Sequence, residues 1–418
     1  MRIILQVLAV LLIASAAIAQ GKRLWVLRAG EIVEYDPATF EVKSRVKMPA
    51  EAVEAPQGIS INKMGEILFV PAVSLPLSAN DVDSPHKIWL WNGKAAVTID
   101  QGVKFEVGKT GSNQSVTESA PVAFLSADGT HLYWFANQAR RLQREEVDLS
   151  TATTWEAWQT DLSGGGRQDL ISVTMPDCRC PTGSCEESCA YGQVWAPSGG
   201  VDKFFLMTQF VAGKTEALYK VSTRYQQDGG AWSPHPLGEP LRRILDASAA
   251  GDVVVEAIPD TGCCGWANQS DDQALVRTGE KSVKVFDEVS TYKNADYDVS
   301  FFTSNARLSP DAGSVAMTIN ATAKANQPIQ LAEQGQANPE ESRQIRKALM
   351  ELPAVEVRTV DDAARRVAFI PHATLIGWIS DKQLLIVEDH LLALYNVGTG
   401  ARQKSSVRVE DAASVFLP

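Results

Sequence analysis

The stretch Ile59-Ser-Ile-Asn-Lys-Met-Gly-Glu-Ile-Leu-Phe-Val70 decides the fold prediction, because it places an apolar strand on each side of a tight turn. Apolar and β-branched residues flanking a Gly-containing turn are the pattern of a β-hairpin. The stretch Ala123-Phe-Leu-Ser-Ala-Asp-Gly-Thr-His-Leu-Tyr-Trp134 repeats this pattern. The unit returns at residues 194–207, 245–257, 306–318 and 376–387, and its starts lie 51 to 71 residues apart. The chain is therefore predicted to be a repeat protein built from β-hairpins.

A second hairpin follows most of these units. It is predicted at residues 87–99, 158–170, 274–286 and 394–402, where apolar strands again flank turns that contain glycine. Two hairpins per repeat make a four-stranded antiparallel sheet, which is the blade of a β-propeller. The predicted fold class is all-β, with a single β-propeller.

The two ends of the chain complement each other. Residues 24–27, 31–35 and 42–46 are strand-like, which leaves the first sheet one strand short, and residues 414–417 supply a spare strand. A blade shared by both termini would close the ring and leave no free sheet edge. Counting this shared blade, we predict about seven four-stranded blades, with six or eight as alternatives.

The repeat resembles a known family. Residues 158–170 resemble the repeat of the periplasmic TolB-type, WD-like propellers, and Leu308-Ser-Pro-Asp-Ala-Gly-Ser-Val-Ala316 resembles their opening Ser-Pro-Asp-Gly unit, with Ala312 inserted. Residues 33–40 and 393–400 are similar to the third strand and turn of quinoprotein-like and YVTN-type repeats. The resemblance implies a propeller over most of the mature chain. It implies no particular activity, because propellers carry many unrelated functions.

The N-terminus has the three parts of a secretory signal peptide. Arg2 is followed by an apolar run from Ile3 to Ala14, and Ala17-Ile18-Ala19 is a small-x-small cleavage site. We therefore predict a signal peptide over residues 1–19 and a propeller domain over 20–418. The predicted location is the periplasm or the exterior, and no later segment is apolar for long enough to span a membrane.

Composition excludes one class of partner. The formal net charge is −11, and no run of Lys or Arg offsets it. Binding to nucleic acid needs a basic face for the phosphates, so nucleic acid is not expected as a partner.

Long connections are predicted on one face of the fold. If the strands of each blade are named a to d, the a–b and c–d turns are mostly short, whereas the b–c and d–a connections are mostly long. These long segments are residues 73–85, 100–120, 176–192, 259–272, 289–303 and 321–353. Binding residues are carried disproportionately by loops on a rigid scaffold, so we expect the working face here. Within the insertion at 321–353, residues 339–352 have the apolar spacing of a short amphipathic helix, interpreted as a cover for loop surface.

All the cysteines lie in two of these loops, as Cys178, Cys180, Cys185, Cys189, Cys263 and Cys264. In an exported protein an even number predicts disulfides first, with fifteen possible pairings. A zinc site is a weaker reading, because the first cluster has no familiar zinc spacing. The adjacent pair with Asn268 resembles the quinone pocket of pyrroloquinoline-quinone alcohol dehydrogenases, although this chain lacks their tryptophan-docking repeats. Asp260, Asp271 and Asp272 could ligate calcium.

The sequence favours a binding module over an enzyme. It contains no His-Glu-x-x-His, Gly-x-Ser-x-Gly or phosphate-binding glycine motif. The favoured hypothesis is an extracytoplasmic propeller that presents a disulfide-stapled loop face to a protein, peptide or glycan, without a cofactor. The candidate binding residues on that face are Trp266, Asn268, Asp271 and Asp272. The alternative is a quinone- or metal-dependent oxidoreductase with its site near Cys263 and Cys264.

Overall fold

The structure is a computed structural model, and it describes the greater part of the chain in eighteen segments. These are residues 22–48, 56–62, 64–71, 86–101, 119–126, 129–139, 153–175, 191–195, 203–210, 214–221, 232–236, 241–248, 252–257, 273–278, 281–287, 301–321, 338–361 and 363–418. The chain divides into two compact units. Unit 1 comprises Met1–Lys47 and Asn294–Pro418, and unit 2 comprises Met48–Lys293.

The two ends of the chain share one antiparallel sheet in unit 1. Its strands are β1 (Leu24–Arg28), β2 (Glu31–Tyr35), β3 (Val42–Lys47) and the C-terminal β28 (Val415–Phe416), in the spatial order β28-β1-β2-β3. Trp25 lies opposite Phe416 and Val26 opposite Val415. The predicted sharing of a sheet by both termini is therefore confirmed.

The described residues of unit 2 form four four-stranded antiparallel sheets, each made of consecutive strands. The first two are β4 (Pro56–Ile61), β5 (Ile67–Pro71), β6 (His86–Trp91) and β7 (Ala96–Gln101), then β8 (Ser119–Leu125), β9 (His131–Ala139), β10 (Thr153–Asp161) and β11 (Gln168–Met175). The other two are β12 (Tyr191–Trp195), β13 (Lys203–Phe210), β14 (Lys214–Val221) and β15 (Trp232–Pro236), then β16 (Leu241–Ala247), β17 (Val253–Ala257), β18 (Gln273–Thr278) and β19 (Lys281–Asp287).

Within its described residues, unit 1 contains two further sheets of the same kind and one α-helix. The sheets are β20 (Phe301–Leu308), β21 (Ser314–Ala321), β22 (Ala354–Thr359) and β23 (Arg366–Pro371), then β24 (Ala373–Ser380), β25 (Gln383–Glu388), β26 (Leu391–Asn396) and β27 (Arg402–Arg408). The helix α1 (Pro339–Met350) lies between β21 and β22, where the sequence predicts it. Among the described residues there are thus seven four-stranded sheets, and all six hairpins predicted as the repeat unit are confirmed. The extent of a single domain over residues 20–418 stays a prediction.

The core of unit 1 lies between its sheets. One apolar cluster joins the shared sheet to β24–β27 and includes Leu24, Val33 and Leu392, all fully buried. A second joins β20–β23 to β24–β27 and includes Val355 and Ile386. The sheet β24–β27 is therefore covered on both faces, which is why its inner strands are apolar runs rather than strict alternations.

In unit 2 one apolar cluster lies between its first two sheets. Leu68 and Ile88 pack with Leu125, Trp134 and Trp158 in one cluster of buried residues. Burial of such side chains contributes about 1.5–3 kcal/mol each, which makes this cluster a main stabilising element of the described part of unit 2.

Side chains hold the tight turns. Asn62 Oδ1 accepts hydrogen bonds from the backbone N–H groups of Met64 and Glu66, both at 3.0 Å. Asp161 Oδ1 accepts from the N–H groups of Ser163 and Gly165, at 2.8 and 2.9 Å. Asn and Asp side chains favour turns because they satisfy backbone donors locally. These contacts explain why the hairpin turns were readable in the sequence.

The turn at residues 309–314 departs from the Ser-Pro-Asp-Gly unit that it resembles. Ala312, the inserted residue, has a φ of 56°, in the left-handed region that usually takes glycine. Asp311 Oδ1 accepts the N–H of Gly313 at 3.0 Å, and Ser309 Oγ accepts that of Ser314 at 2.9 Å. These bonds hold Ala312 in a conformation that costs an alanine about 1 kcal/mol.

The chain shows no apolar helix long enough to span a membrane among its described residues.

Candidate functional site

The site residues predicted from sequence lie outside the described part of the chain. This holds for all six cysteines, for Trp266 and Asn268, and for Asp260, Asp271 and Asp272. The disulfide staple, the quinone or metal alternative and the loop-face binding residues therefore stay predictions. Within the described residues, no three His, Cys, Asp or Glu side chains are grouped to hold a metal ion.

Among the described residues, a groove lies between one b–c connection and one d–a connection. Helix α1 belongs to the b–c connection between β21 and β22, and His372 is the d–a turn between β23 and β24. Both connections lie at the same end of the sheet β20–β23. His372 donates its backbone N–H to the carbonyl of Glu351 at 3.0 Å, and Ala373 donates to that of Pro353 at 2.9 Å. The end of the helix is thus fixed against the turn by the backbone.

The groove has a volume of about 370 Å³. It is lined by Arg343, Arg346, Lys347, Met350, Glu351 and His372. Three of the six are permanent cations and only one is a carboxylate. The lining therefore carries a positive charge, in contrast to the chain as a whole.

Helical periodicity places these side chains. Residues three and four apart share one face of a helix, which groups positions 343, 346, 347 and 350. The opposite face is apolar, and Ile345 and Leu349 are 5 % and 7 % exposed. Asn338 begins the helix by accepting the N–H of Glu340 at 2.9 Å. Burial of one face fixes the rotation of the helix, so the cationic face is turned toward solvent.

The cations are not equally available. Arg343 forms an ion pair with Glu340, one turn earlier, at 2.7 Å. Arg346 and Lys347 are exposed and form no ion pair with any residue that the structure describes. Lys347 lies in the last turn of α1, where a cation offsets the partial negative charge of the helix end. That offset corresponds to about half an elementary charge, so two unpaired cations leave a positive excess.

Three glutamates of unit 1 are buried in its sheets rather than placed in a groove. The carboxylate of Glu34 is bound by Arg23 at 2.6 Å and by the Ser44 hydroxyl at 2.7 Å. Burial alone would raise the pKa of Glu34, but these hydrogen bonds and the charge of Arg23 outweigh it, so the pKa lies below its ordinary value. This group joins strands, and we assign it to stability.

Two further glutamates have the same arrangement. Glu356 binds Arg358 and lies 3.9 Å from Arg366, and its side chain is 4 % exposed. Glu388 accepts a hydrogen bond from Arg402 at 2.6 Å, and its second oxygen lies 3.3 Å from the ammonium of Lys404, within ion-pair distance but without hydrogen-bond geometry. Each of these two buried carboxylates thus has two cations within ion-pair distance.

Sequence reasoning found the helix but missed the groove. The signal was present, since Arg343, Arg346 and Lys347 recur on the side opposite Ile345 and Leu349. The helix was interpreted as a cover for loop surface, which describes its buried face alone. The second wall, His372, is more than twenty residues away and could be placed only by the backbone contacts between the two connections.

Comparison with known proteins gives no family: no family model and no curated protein matches the chain. Solved structures do resemble it at low identity. Acylaminoacyl peptidase from Pyrococcus horikoshii is 12 % identical, with a TM-score of 0.43 over 90 % of this chain and 48 % of that one. The periplasmic gluconolactonase PpgL from Pseudomonas aeruginosa is 10 % identical, with a TM-score of 0.43 over 95 % and 98 %. TolB from Acinetobacter baumannii is 11 % identical, with a TM-score of 0.36 over 93 % and 65 %.

These likenesses carry no argument about function. The chain spans about half the length of the acylaminoacyl peptidase structure. The architecture of this chain follows from its own assignment of strands to sheets.

Proposed function

We propose that this chain is an extracytoplasmic β-propeller of seven blades that acts as a binding module for a protein, peptide or glycan. The observation that carries the proposal is the pairing of β28 with β1, which completes a seventh four-stranded sheet from both ends of the chain. In a ring of blades such an exchange holds the two ends of the chain together within one blade, and the radial repetition leaves only short, protected sheet edges.

The proposed working face is the one that carries the b–c and d–a connections. Most of the a–b and c–d turns are short, with the longer connections β12–β13 and β14–β15 as exceptions, and those at Asn62 and Asp161 are held by their own side chains. The cysteine-containing segments and the residues Trp266 and Asp272 belong to the other set of connections. Long loops on a rigid scaffold are the usual carriers of binding residues. Export by the predicted signal peptide supports an extracytoplasmic partner.

A comparison of variants on the two faces tests this function. The loop-face variant is Trp266→Ala with Asp272→Asn. The matched control is Met64→Ala with Glu41→Gln, which removes one exposed apolar side chain and one carboxylate from short turns. Each mature protein is immobilised and exposed to the extracytoplasmic fraction of native cells. Retained proteins and glycans are then quantified by mass spectrometry.

We expect the parent and the control to retain the same partner and the loop-face variant to lose most of it. Equal retention by all three proteins would place the partner elsewhere on the molecule. Loss by the control alone would reverse the assignment of the faces. Retention of nothing by the parent would remove the binding-module proposal.

A further inference from the structure

The groove between α1 and His372 is a local reversal of charge. The chain has a net charge of −11, but the groove is lined by three cations and one carboxylate. A small anion diffusing near this protein is therefore attracted to the groove rather than to the acidic parts of the chain. A cluster of cations raises the local concentration of an anion.

Two of these cations are available to a ligand. Arg343 is already bound to Glu340, whereas Arg346 and Lys347 form no ion pair with described residues. A guanidinium presents a planar fork that matches the oxygens of a carboxylate or a phosphate, and an ammonium adds a point charge. Together they provide the donors that an anionic head group needs.

The groove also offers an apolar contact. Met350 lies in its lining and is 57 % exposed, which is unusual for a large apolar side chain. A thioether is polarizable and makes favourable contacts with aromatic rings. The volume of about 370 Å³ is at the lower end of the range for small-molecule sites.

The walls of the groove are fixed before any ligand arrives. Ile345 and Leu349 anchor the helix by their burial. The backbone bonds from His372 to Glu351 and from Ala373 to Pro353 join the helix end to the opposite wall. A site with fixed walls loses less conformational entropy on binding.

We propose that this groove binds a small organic anion, with a phosphate or carboxylate head held by Arg346 and Lys347 and an apolar group packed on Met350. The site requires neither a closed ring nor a macromolecular partner. It can therefore fail while the proposed binding module stands, and the reverse is also true.

Calorimetric titration of the mature protein at low ionic strength tests the site. The probes are phenyl phosphate, phenylacetate, inorganic phosphate and the uncharged benzyl alcohol. We expect at least one aromatic anion to bind about tenfold more tightly than inorganic phosphate, since the ring adds apolar burial. The preferred aromatic anion identifies the head group as phosphate or carboxylate. Equal binding of benzyl alcohol, or no binding of either aromatic anion, would overturn the proposal.

Variants locate the binding. Arg346→Gln with Lys347→Gln should weaken the preferred anion about tenfold or more. Lys94→Gln with Lys382→Gln removes the same charge from exposed turns and should change it less than about twofold. Met350→Ala should weaken the aromatic anion and leave inorganic phosphate unchanged.

A further variant guards against misfolding. Arg346→Lys with Lys347→Arg keeps both charges and should retain binding within about threefold. Equal weakening by the control pair would show that overall charge, rather than this groove, attracts the anion.

Discussion

The two compact units share one architecture but differ in charge. Unit 1 has 19 Lys and Arg and 19 Asp and Glu, whereas unit 2 has 20 and 31, so the entire net charge of −11 belongs to unit 2. Each of the three sheets of unit 1 contains a buried glutamate: Glu34 is paired with one cation, and Glu356 and Glu388 are each paired with two. Each of these three buried carboxylates is thus neutralised within or beside its own sheet.

The described core of unit 2 contains a stacked pair of tryptophans among its aliphatic residues. Trp134 and Trp158 are stacked with ring centroids 6.3 Å apart, and the indole N–H of Trp134 donates to the Thr160 hydroxyl at 2.9 Å. The guanidinium of Arg167 lies 4.3 Å from the ring centroid of Trp158. A four-stranded sheet therefore specifies backbone pairing, but it does not specify which side-chain interactions stabilise it. The comparison also predicts that substitutions in the two units destabilise the protein by different amounts.

The largest effect is expected from Trp134→Ala in unit 2. Loss of a fully buried indole, its stack and its hydrogen bond should cost about 3–5 kcal/mol. Hydrogen exchange read by mass spectrometry should show lost protection in β8–β11, while β24–β26 remains protected. Trp134→Phe serves as the milder control. Equal loss of protection in both units would mean that they unfold together, and the comparison would then describe composition alone.

A smaller effect is expected from Glu356→Gln in unit 1. The change leaves Arg358 partly buried without its carboxylate, which should cost about 2 kcal/mol in urea unfolding. Arg343→Gln breaks the exposed pair with Glu340 and should cost less than about 0.5 kcal/mol. Similar losses for both variants would show that burial of the carboxylate adds nothing to the pair.

The smallest effect expected is the loss of stability at acid pH that follows from the protonation of Asp36. Hydrogen bonding from Lys43 lowers the pKa of Asp36 to about 2, with help from the N–H groups of Ala38 and Thr39. Because the folded pKa is depressed, the stabilisation is present above the ordinary value of 3.8 and is lost as pH falls toward 2. Asp36→Asn keeps the turn acceptor but loses the charge. Its deficit relative to the parent should be constant near neutrality, shrink as the pH falls from about 5, and disappear at about pH 1, below both pKa values. A deficit that is as large at about pH 1 as at neutrality would contradict this cause.

Local pattern was enough for the strands and turns. The repeats beginning at Ile59 and Ala123 predicted their hairpins, because two-fold apolar patterning and Asn, Asp or Gly turns act within a few residues. The spare strand near Val415 was also readable, since an incomplete first sheet left one position to fill. Helix α1 was readable from its apolar spacing at Ile345 and Leu349.

Local periodicity and strand count thus predicted the all-β class and the sharing of one sheet by both termini, and they limited the number of four-stranded sheets to between six and eight. Contacts between distant segments settle which charges are neutralised and which remain available. Arg358 and Arg346 look alike in the sequence, yet one binds a buried glutamate and the other lines an open groove. The reason is physical: an ion pair or a groove depends on which distant segments meet, and His372 meets Glu351 only once the connections around the sheet β20–β23 have folded.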